Sequence, residues 1–284
     1  MRTHYDWTTL SCLARCEQEF VFRYVHHLGG PPTASQLAGL ALHAGLKAFF
    51  AGEPAEPVVR AVWGAVVFPA KPALTAERLC AILRCYMAAN PVERDPWTVE
   101  ANEQYVEHPS EPWCGILDRR LRRKDDGRLA VMDTKTTSMN LSAAWGAQWA
   151  YSGQLALQCD LVEAQTGEPC TEAWVDGIFL SWRKEGPKAE DFQRFGPFPY
   201  PESLRGPLRE ERRRLVARAQ QLTASVDAEP RRNGAYSGAC FAYNNNCAFQ
   251  RFCALPLSDL ADEVALGLAV GTLEERPWRP EERG

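Results

Sequence analysis

WCGILDRRLRRKDDGRLAVMDTKTTS, residues 113–138, decides how this chain is read. Two β-patterned runs flank Asp125-Asp126-Gly127, and Asp-Gly between such runs is a strong hairpin signal. A two-residue turn at Asp126-Gly127 sets Asp118 opposite Lys135 and Arg120 opposite Asp133. Side chains alternate along a strand, so Asp118, Asp133 and Lys135 share one face. Directly opposed Cβ atoms lie about 5 Å apart, within reach of one ion or one substrate. Carboxylate oxygens suit hard divalent ions such as Mg²⁺ or Mn²⁺. Such an ion polarises a phosphoryl oxygen and generates hydroxide from bound water, while a lysine offsets the growing charge. On Asp-x-Lys alone, an ion-paired surface hairpin is the simpler reading, because short motifs recur by chance.

The rest of the chain supplies context. Helical spacing of Leu13, Cys16, Phe20 and Tyr24 predicts a helix over 8–28, stopped by Gly29-Gly30-Pro31-Pro32. Helices are also expected over 35–50, 58–68, 75–89 and 141–164, with a long amphipathic helix through "ESLRGPLREERRRLVARAQQLTASV". Strands are expected over 98–107, 114–124, 128–136 and 172–182, the last followed by a Gly/Pro-rich loop. This order implies a mixed α/β domain with helical additions. With 284 residues, 45% of them hydrophobic, the chain can bury a large core. A net charge of −4 gives no overall attraction to nucleic acid, so any grip on it must be local. No apolar run is long enough to span a membrane, and the N-terminus lacks a signal-peptide core, which makes the cytoplasm the expected location. Ten cysteines in a reducing compartment point to metal binding rather than a disulfide framework.

The hairpin resembles the second and third motifs of PD-(D/E)xK nucleases, and in particular the RecB-like branch, through Gly115, Asp118, Asp133, Lys135 and Thr136. Gly39 and His43 resemble that branch's first, helical motif. Gln154 matches its Gln-x-x-x-Tyr helix, although Gln158 stands at the tyrosine position; Tyr151 lies on the same stripe. The resemblance implies a restriction-endonuclease-like mixed β-sheet flanked by helices. It implies metal ligation by His43, Asp118, Asp133 and the Thr134 carbonyl, with Lys135 as base or electrostatic stabiliser. Gln154 would position substrate backbone or metal-bound water, with Glu103 in support. Read alone, His43 among Leu40, Leu46 and Phe50 is an ordinary core histidine.

Cys240, Cys247 and Cys253 fall within 14 residues among aromatic side chains. "SCLARCEQEFVFRYV" resembles the cysteine-bearing start of RecB-like nucleases that carry an iron–sulphur cluster, with Glu17 where proline is usual. By that resemblance Cys16, Cys240, Cys247 and Cys253 hold a [4Fe–4S] cluster joining the two ends. Cys12 competes with Cys16, and a structural Zn²⁺ on the same thiolates is the alternative. The expected organisation is one nuclease domain over 1–284. It has a cluster-binding staple at 1–34 and 230–256, a core at 35–200, a long helix at 201–229 and a tail at 257–284.

These readings converge on a divalent-metal-dependent deoxyribonuclease, expected to act as an exonuclease on single-stranded DNA or DNA ends. It resembles CRISPR-associated adaptation nucleases and their phage relatives. "RRLRRK" could contact phosphates, and Trp145 or Trp149 could stack on unpaired bases. Two alternatives stay open: a non-catalytic, metal-stapled DNA-end-binding protein, and the nuclease subunit of a helicase–nuclease complex. DNA is the expected partner. A homo-oligomer, or a protein partner from CRISPR adaptation or recombination, is compatible with this reading.

Overall fold

The structure is a computed structural model that describes residues 4–66, 74–90, 95–180, 183–224, 230–231, 234, 238, 240, 247–255, 257–269, 271 and 273–277. The chain divides into two units. One comprises residues 32–109 and 116–205; the other is assembled from residues up to 31, from 110–115 and from 206 onward.

The first unit is built on a five-stranded sheet in the order β2-β3-β4-β5-β6. The strands are β2 (Trp97–Glu107), β3 (Cys114–Arg123), β4 (Leu129–Thr137), β5 (Glu172–Phe179) and β6 (Phe192–Pro199). β3 pairs antiparallel with β4 and β5 with β6, whereas β4 and β5 run parallel. A parallel pair needs a crossover. Here it contains α6 (Ala143–Ala147), a 3₁₀ turn at Gln148–Tyr151 and α7 (Gly153–Thr166). β4 is the central strand, and Leu129 to Thr134 are buried without a break, as expected of a strand covered on both faces. Three helices, α3 (Ala34–Phe50), α4 (Ala55–Gly64) and α5 (Ala76–Ala89), bury Leu37, Leu42, Val59, Leu79 and Leu83 with Ile178 of β5. Gly45 makes their close approach possible: a Cβ there would lie 2.5 Å from Val59 and 3.0 Å from Leu83. This mixed sheet with flanking helices agrees with the expected architecture.

The second unit contains α1 (Trp7–Arg15), α2 (Glu17–Phe20), a π-helical turn at Val21–Val25 and β1 (Leu28–Gly29). It also holds most of α8 (Glu202–Ala224), α9 (Leu257–Ala269) and β7 (Glu274–Glu275), which pairs with β1. Leu10, Leu13 and Phe20 pack with Val216, Ala219 and Leu222, far apart in sequence. Phe22 stacks on Phe249 at 5.0 Å beside Phe252 and Leu273.

Several expectations are corrected. The single helix over 8–28 is broken at Cys16, whose backbone is extended at φ −159° and ψ 112°. The helix over 141–164 is interrupted at Ser152, which instead caps α7 through Leu155 N. β6 occupies part of the stretch read as loop. It lies at the sheet edge, where Pro197 removes no required donor. The hairpin turn is longer than two residues: Arg123 N donates to Arg128 O at 2.9 Å. Arg119 therefore pairs with Met132 and Arg120 with Val131, so Asp118 falls across from Asp133, not Lys135. The displacement is two residues, which preserves every face.

No described helix is long and apolar enough to cross a membrane. Residues 67–68 and 181–182, at the ends of two expected elements, lie outside the described residues, as does most of the Pro/Glu/Arg tail.

Candidate active site

α3 begins with a capping box in which Thr33 and Gln36 satisfy each other's backbone N–H. One turn further on, a Cβ at Gly39 would stand 3.1 Å from Thr136 Oγ1. Glycine thus lets the helix close on the end of β4 and brings His43 to the sheet. His43 Nδ1 lies 3.0 Å from Glu103 Oε1 and 3.6 Å from Asp118 Oδ2. Glu103 sits on β2 with φ +48°, a left-handed conformation uncommon outside glycine. It interrupts the strand's alternation. The neighbouring Asn102 Nδ2 donates to Lys47 O at 2.9 Å, tying β2 to α3.

The β3–β4 register as paired ends at Arg119 and Met132. Beyond it, Asp118 Oδ2 accepts the Thr134 N–H at 2.7 Å. The side chain thus satisfies a β4 donor where the two strands part. Asp133 is almost fully buried. Its Oδ1 accepts from Gln154 Nε2 at 2.8 Å and from Gln158 Nε2 at 3.0 Å, and its Oδ2 lies 2.6 Å from Lys135 Nζ. Lys135 Nζ also donates to Gln154 Oε1 at 2.9 Å and stands 5.4 Å from the centre of the Trp149 ring. Gln154 thereby links the acid and the amine.

The electrostatics follow from this crowding. Burial, reinforced by the Asp133 charge, holds the Asp118 carboxyl well above the usual range, although His43 opposes the shift. Burial pulls the His43 imidazole down, but Asp118 and Glu103 outweigh it and push the group up to about 9. The imidazolium thus neutralises part of the acidic cluster, and metal binding would release its proton.

The donor set fits a divalent cation. Ligand atoms of His43, Glu103 and Asp118 all lie within 4.8 Å of one another, the one such group of three among the described residues. An imidazole with carboxylate oxygens suits Mn²⁺ or Mg²⁺. Asp133 adjoins this group, with its oxygens held by Gln154, Gln158 and Lys135. Thr134 contributes its N–H to Asp118, and its Oγ1 accepts from Arg119 at 2.9 Å.

Two residues carry more than the sequence indicated. Glu103 is in direct contact with His43, and Gln158, noted only as a departure from the tyrosine pattern, donates to Asp133. One expectation is corrected: Trp145 is not open to unpaired bases. The hairpin arginines have internal partners: Arg119 is buried against Asp176, Arg120 reaches Glu100 and Gln165, Arg122 pairs with Glu100 and Glu168, and Arg123 with Asp125. Trp145 is buried against Phe195 and Trp149. Tyr151 closes the 3₁₀ turn before α7, off the stripe of Gln154 and Gln158, and is 78% exposed.

The second unit brings Cys16, Cys240, Cys247 and Cys253 together. Cys16, at the break between α1 and α2, lines one small cavity with Cys240, Cys247, Cys253, Glu19 and Phe249. A Cβ on Gly234 would lie 3.1 Å from Cys16 Sγ and 3.4 Å from Cys240 Sγ, so glycine makes room for both sulphurs. Cys247 N donates to Cys240 O at 2.9 Å. Cys12 belongs to the adjacent apolar core, where burial pushes its thiol up to about 12.

A lysine braced beside a buried carboxylate, next to three side chains whose donor atoms could share a cation, suits metal-assisted phosphodiester hydrolysis. The model of the PD-(D/E)XK nuclease superfamily matches residues 7–254, and the chain belongs to that superfamily. No curated protein matches the chain significantly.

Proposed function

We propose that this chain is a RecB-like deoxyribonuclease that uses Mg²⁺ or Mn²⁺ to hydrolyse single-stranded DNA or DNA ends, as an exonuclease. The observation that carries the reading is the meeting of His43, Asp118, Asp133 and Lys135 around one strand end. His43, Asp118, Asp133 and the Thr134 carbonyl would hold the ion, with Glu103 beside His43 as a further donor. When bound, the ion supplies a polarised phosphoryl oxygen and an activated water. Lys135 neutralises charge gathering on the phosphoryl group, and Gln154 fixes the position of its amine. Gln154 and Gln158 together hold the Asp133 carboxylate in one orientation. This activity fits DNA recombination, repair, phage replication or CRISPR adaptation.

The second part of the reading is a [4Fe–4S] cluster on Cys16, Cys240, Cys247 and Cys253. The small cavity that Cys16, Cys240, Cys247 and Cys253 line together supports this ligand set, and four thiolates on one Zn²⁺ remain the alternative. The cluster would tie residues distant in sequence without taking part in hydrolysis.

The test uses anaerobically purified protein with end-labelled single- and double-stranded DNA and Mn²⁺. Cleavage by the wild type and its loss in Lys135→Ala are expected. Retention of DNA without cleavage in any divalent ion refutes the catalytic reading and favours an end-binding protein. A brown preparation containing iron and sulphide supports the cluster; a colourless one with stoichiometric zinc refutes it.

A further inference from the structure

We propose that Tyr151, Leu40 and Met139 form an apolar rim that grips the unpaired nucleobases flanking the scissile phosphate. This inference rests on the nuclease reading and specifies its substrate as a strand without a base-paired partner at the site.

Single exposed apolar side chains are ordinary; what singles these out is their nearness in sequence to the site residues. Among the described residues the exposed large hydrophobics are Leu40 at 54%, Met139 at 58%, Tyr151 at 78% and Leu266 at 52%. The first three belong to the unit that holds the site. Leu40 lies one turn before His43, Met139 four residues after Lys135, and Tyr151 three before Gln154. Their elements meet at one place. Gly39 sets α3 against Thr136 at the end of β4. Leu40 follows Gly39, and the chain leaves β4 through Met139, whose N–H donates to Thr137 Oγ1 at 3.0 Å. On the other flank, the Trp149 ring over Lys135 fixes where the Gln148–Tyr151 turn lies.

That turn is held firmly. The buried Tyr200 hydroxyl donates to Trp149 O at 2.5 Å and accepts from Ser152 N at 2.9 Å. Trp149 packs edge-on against Trp145, whose ring lies 5.2 Å from Phe195. Tyr151 is therefore an exposed aromatic side chain on a braced support.

The occupant follows from what the rim offers. In this proposal the strand segments bonded to the phosphate in the site run over these side chains. A duplex there presents phosphates and groove edges, which call for cations and hydrogen-bond donors. Among the hairpin arginines, Arg119 is engaged with Asp176, Arg122 with Glu100 and Glu168, and Arg123 with Asp125. Unpaired bases present π-faces, which Tyr, Leu and Met suit, and such stacking needs no particular base.

The experiment compares wild type, Tyr151→Ala and Tyr151→Trp on a single-stranded oligonucleotide, and on the same oligonucleotide with abasic sites beside the cut. Cleavage is read in Mn²⁺. Binding is read in Ca²⁺ by quenching of 2-aminopurine at the flanking position. On the intact strand, Tyr151→Ala is expected to lose about tenfold to a hundredfold in kcat/KM and most of the quenching, while Tyr151→Trp retains both. On the abasic strand, wild type and Tyr151→Ala should become equal, which a purely structural defect would not produce. Unchanged cleavage and quenching in Tyr151→Ala, or an equal loss on both strands, overturns the rim. Wild-type protein that quenches 2-aminopurine but cuts nothing overturns the nuclease reading while leaving the rim intact.

Discussion

Replacing Arg119 by alanine tests how the strands bearing Asp118 and Asp133 are held. Arg119 is buried behind the site. It donates to Thr134 Oγ1 at 2.9 Å, Asp176 Oδ2 at 2.8 Å and the Tyr86 hydroxyl at 3.2 Å, and so joins β3, β4, β5 and α5. Breaking a buried ion pair by removing one partner costs about 3–5 kcal/mol. Asp176 keeps Arg194 at 3.1 Å and the Tyr86 hydroxyl at 2.7 Å, so the lower end, about 3 kcal/mol, applies. For a chain of this size that corresponds to a fall in Tm of about 6–12 °C, read by circular dichroism at pH 7.5. Burial pushes the Asp176 carboxyl up, but Arg119 and Arg194 outweigh it and hold it below its ordinary value. A depressed carboxyl stabilises the fold above its unfolded value of about 4, and that contribution is lost as pH falls. The gap between wild type and variant should therefore narrow below about pH 4. A variant within 2 °C of wild type at pH 7.5, on the order of half a kcal/mol, or a gap that widens in acid, would refute the reasoning.

Asp118→Asn should raise the metal-free Tm at pH 8 and remove the rise that Mn²⁺ produces. Its carboxyl is held above the ordinary range, so its contribution is favourable in acid and lost as pH rises through the folded value. A lower metal-free Tm with the Mn²⁺ response intact would contradict this. Gln158→Leu removes a donor to Asp133 and should lower kcat/KM about tenfold to a hundredfold with little change in KM for DNA; wild-type kinetics would show that Gln154 suffices. Gly146→Ala places a Cβ 2.1 Å from the Phe195 ring, and such overpacking costs about 1–3 kcal/mol. Unchanged thermal stability would mean the ring moves freely.

The hairpin's chemistry was legible because strand alternation is robust to the error made in its turn. A four-residue connection replaced a two-residue one, and moving the register by two positions changes partners but not faces. An odd displacement would have dispersed the three groups. Glu103 was harder to place, since a positive φ inside a strand breaks the periodicity by which its direction would be judged. The ion pairs of the arginines were not legible for another reason. Their acids, Glu100, Glu168 and Asp176, are 22, 46 and 57 residues away from the arginines they meet, and composition cannot reveal such pairs. Apolar spacing continues across the helix breaks at Cys16 and Ser152, so periodicity does not reveal them. Ser152 is itself a good N-cap, but it stands within an otherwise helical pattern.

The apolar partners of α1 and α2 lie on α8, about two hundred residues later in synthesis. At ribosomal speeds of roughly 5–20 residues per second, Leu10, Leu13 and Phe20 emerge about 10–40 seconds before Val216, Ala219 and Leu222 can cover them. During that interval the sheet-bearing segment can assemble while the nascent N-terminal helices stay uncovered, available to a chaperone. A polypeptide cut short before α8 would keep them that way.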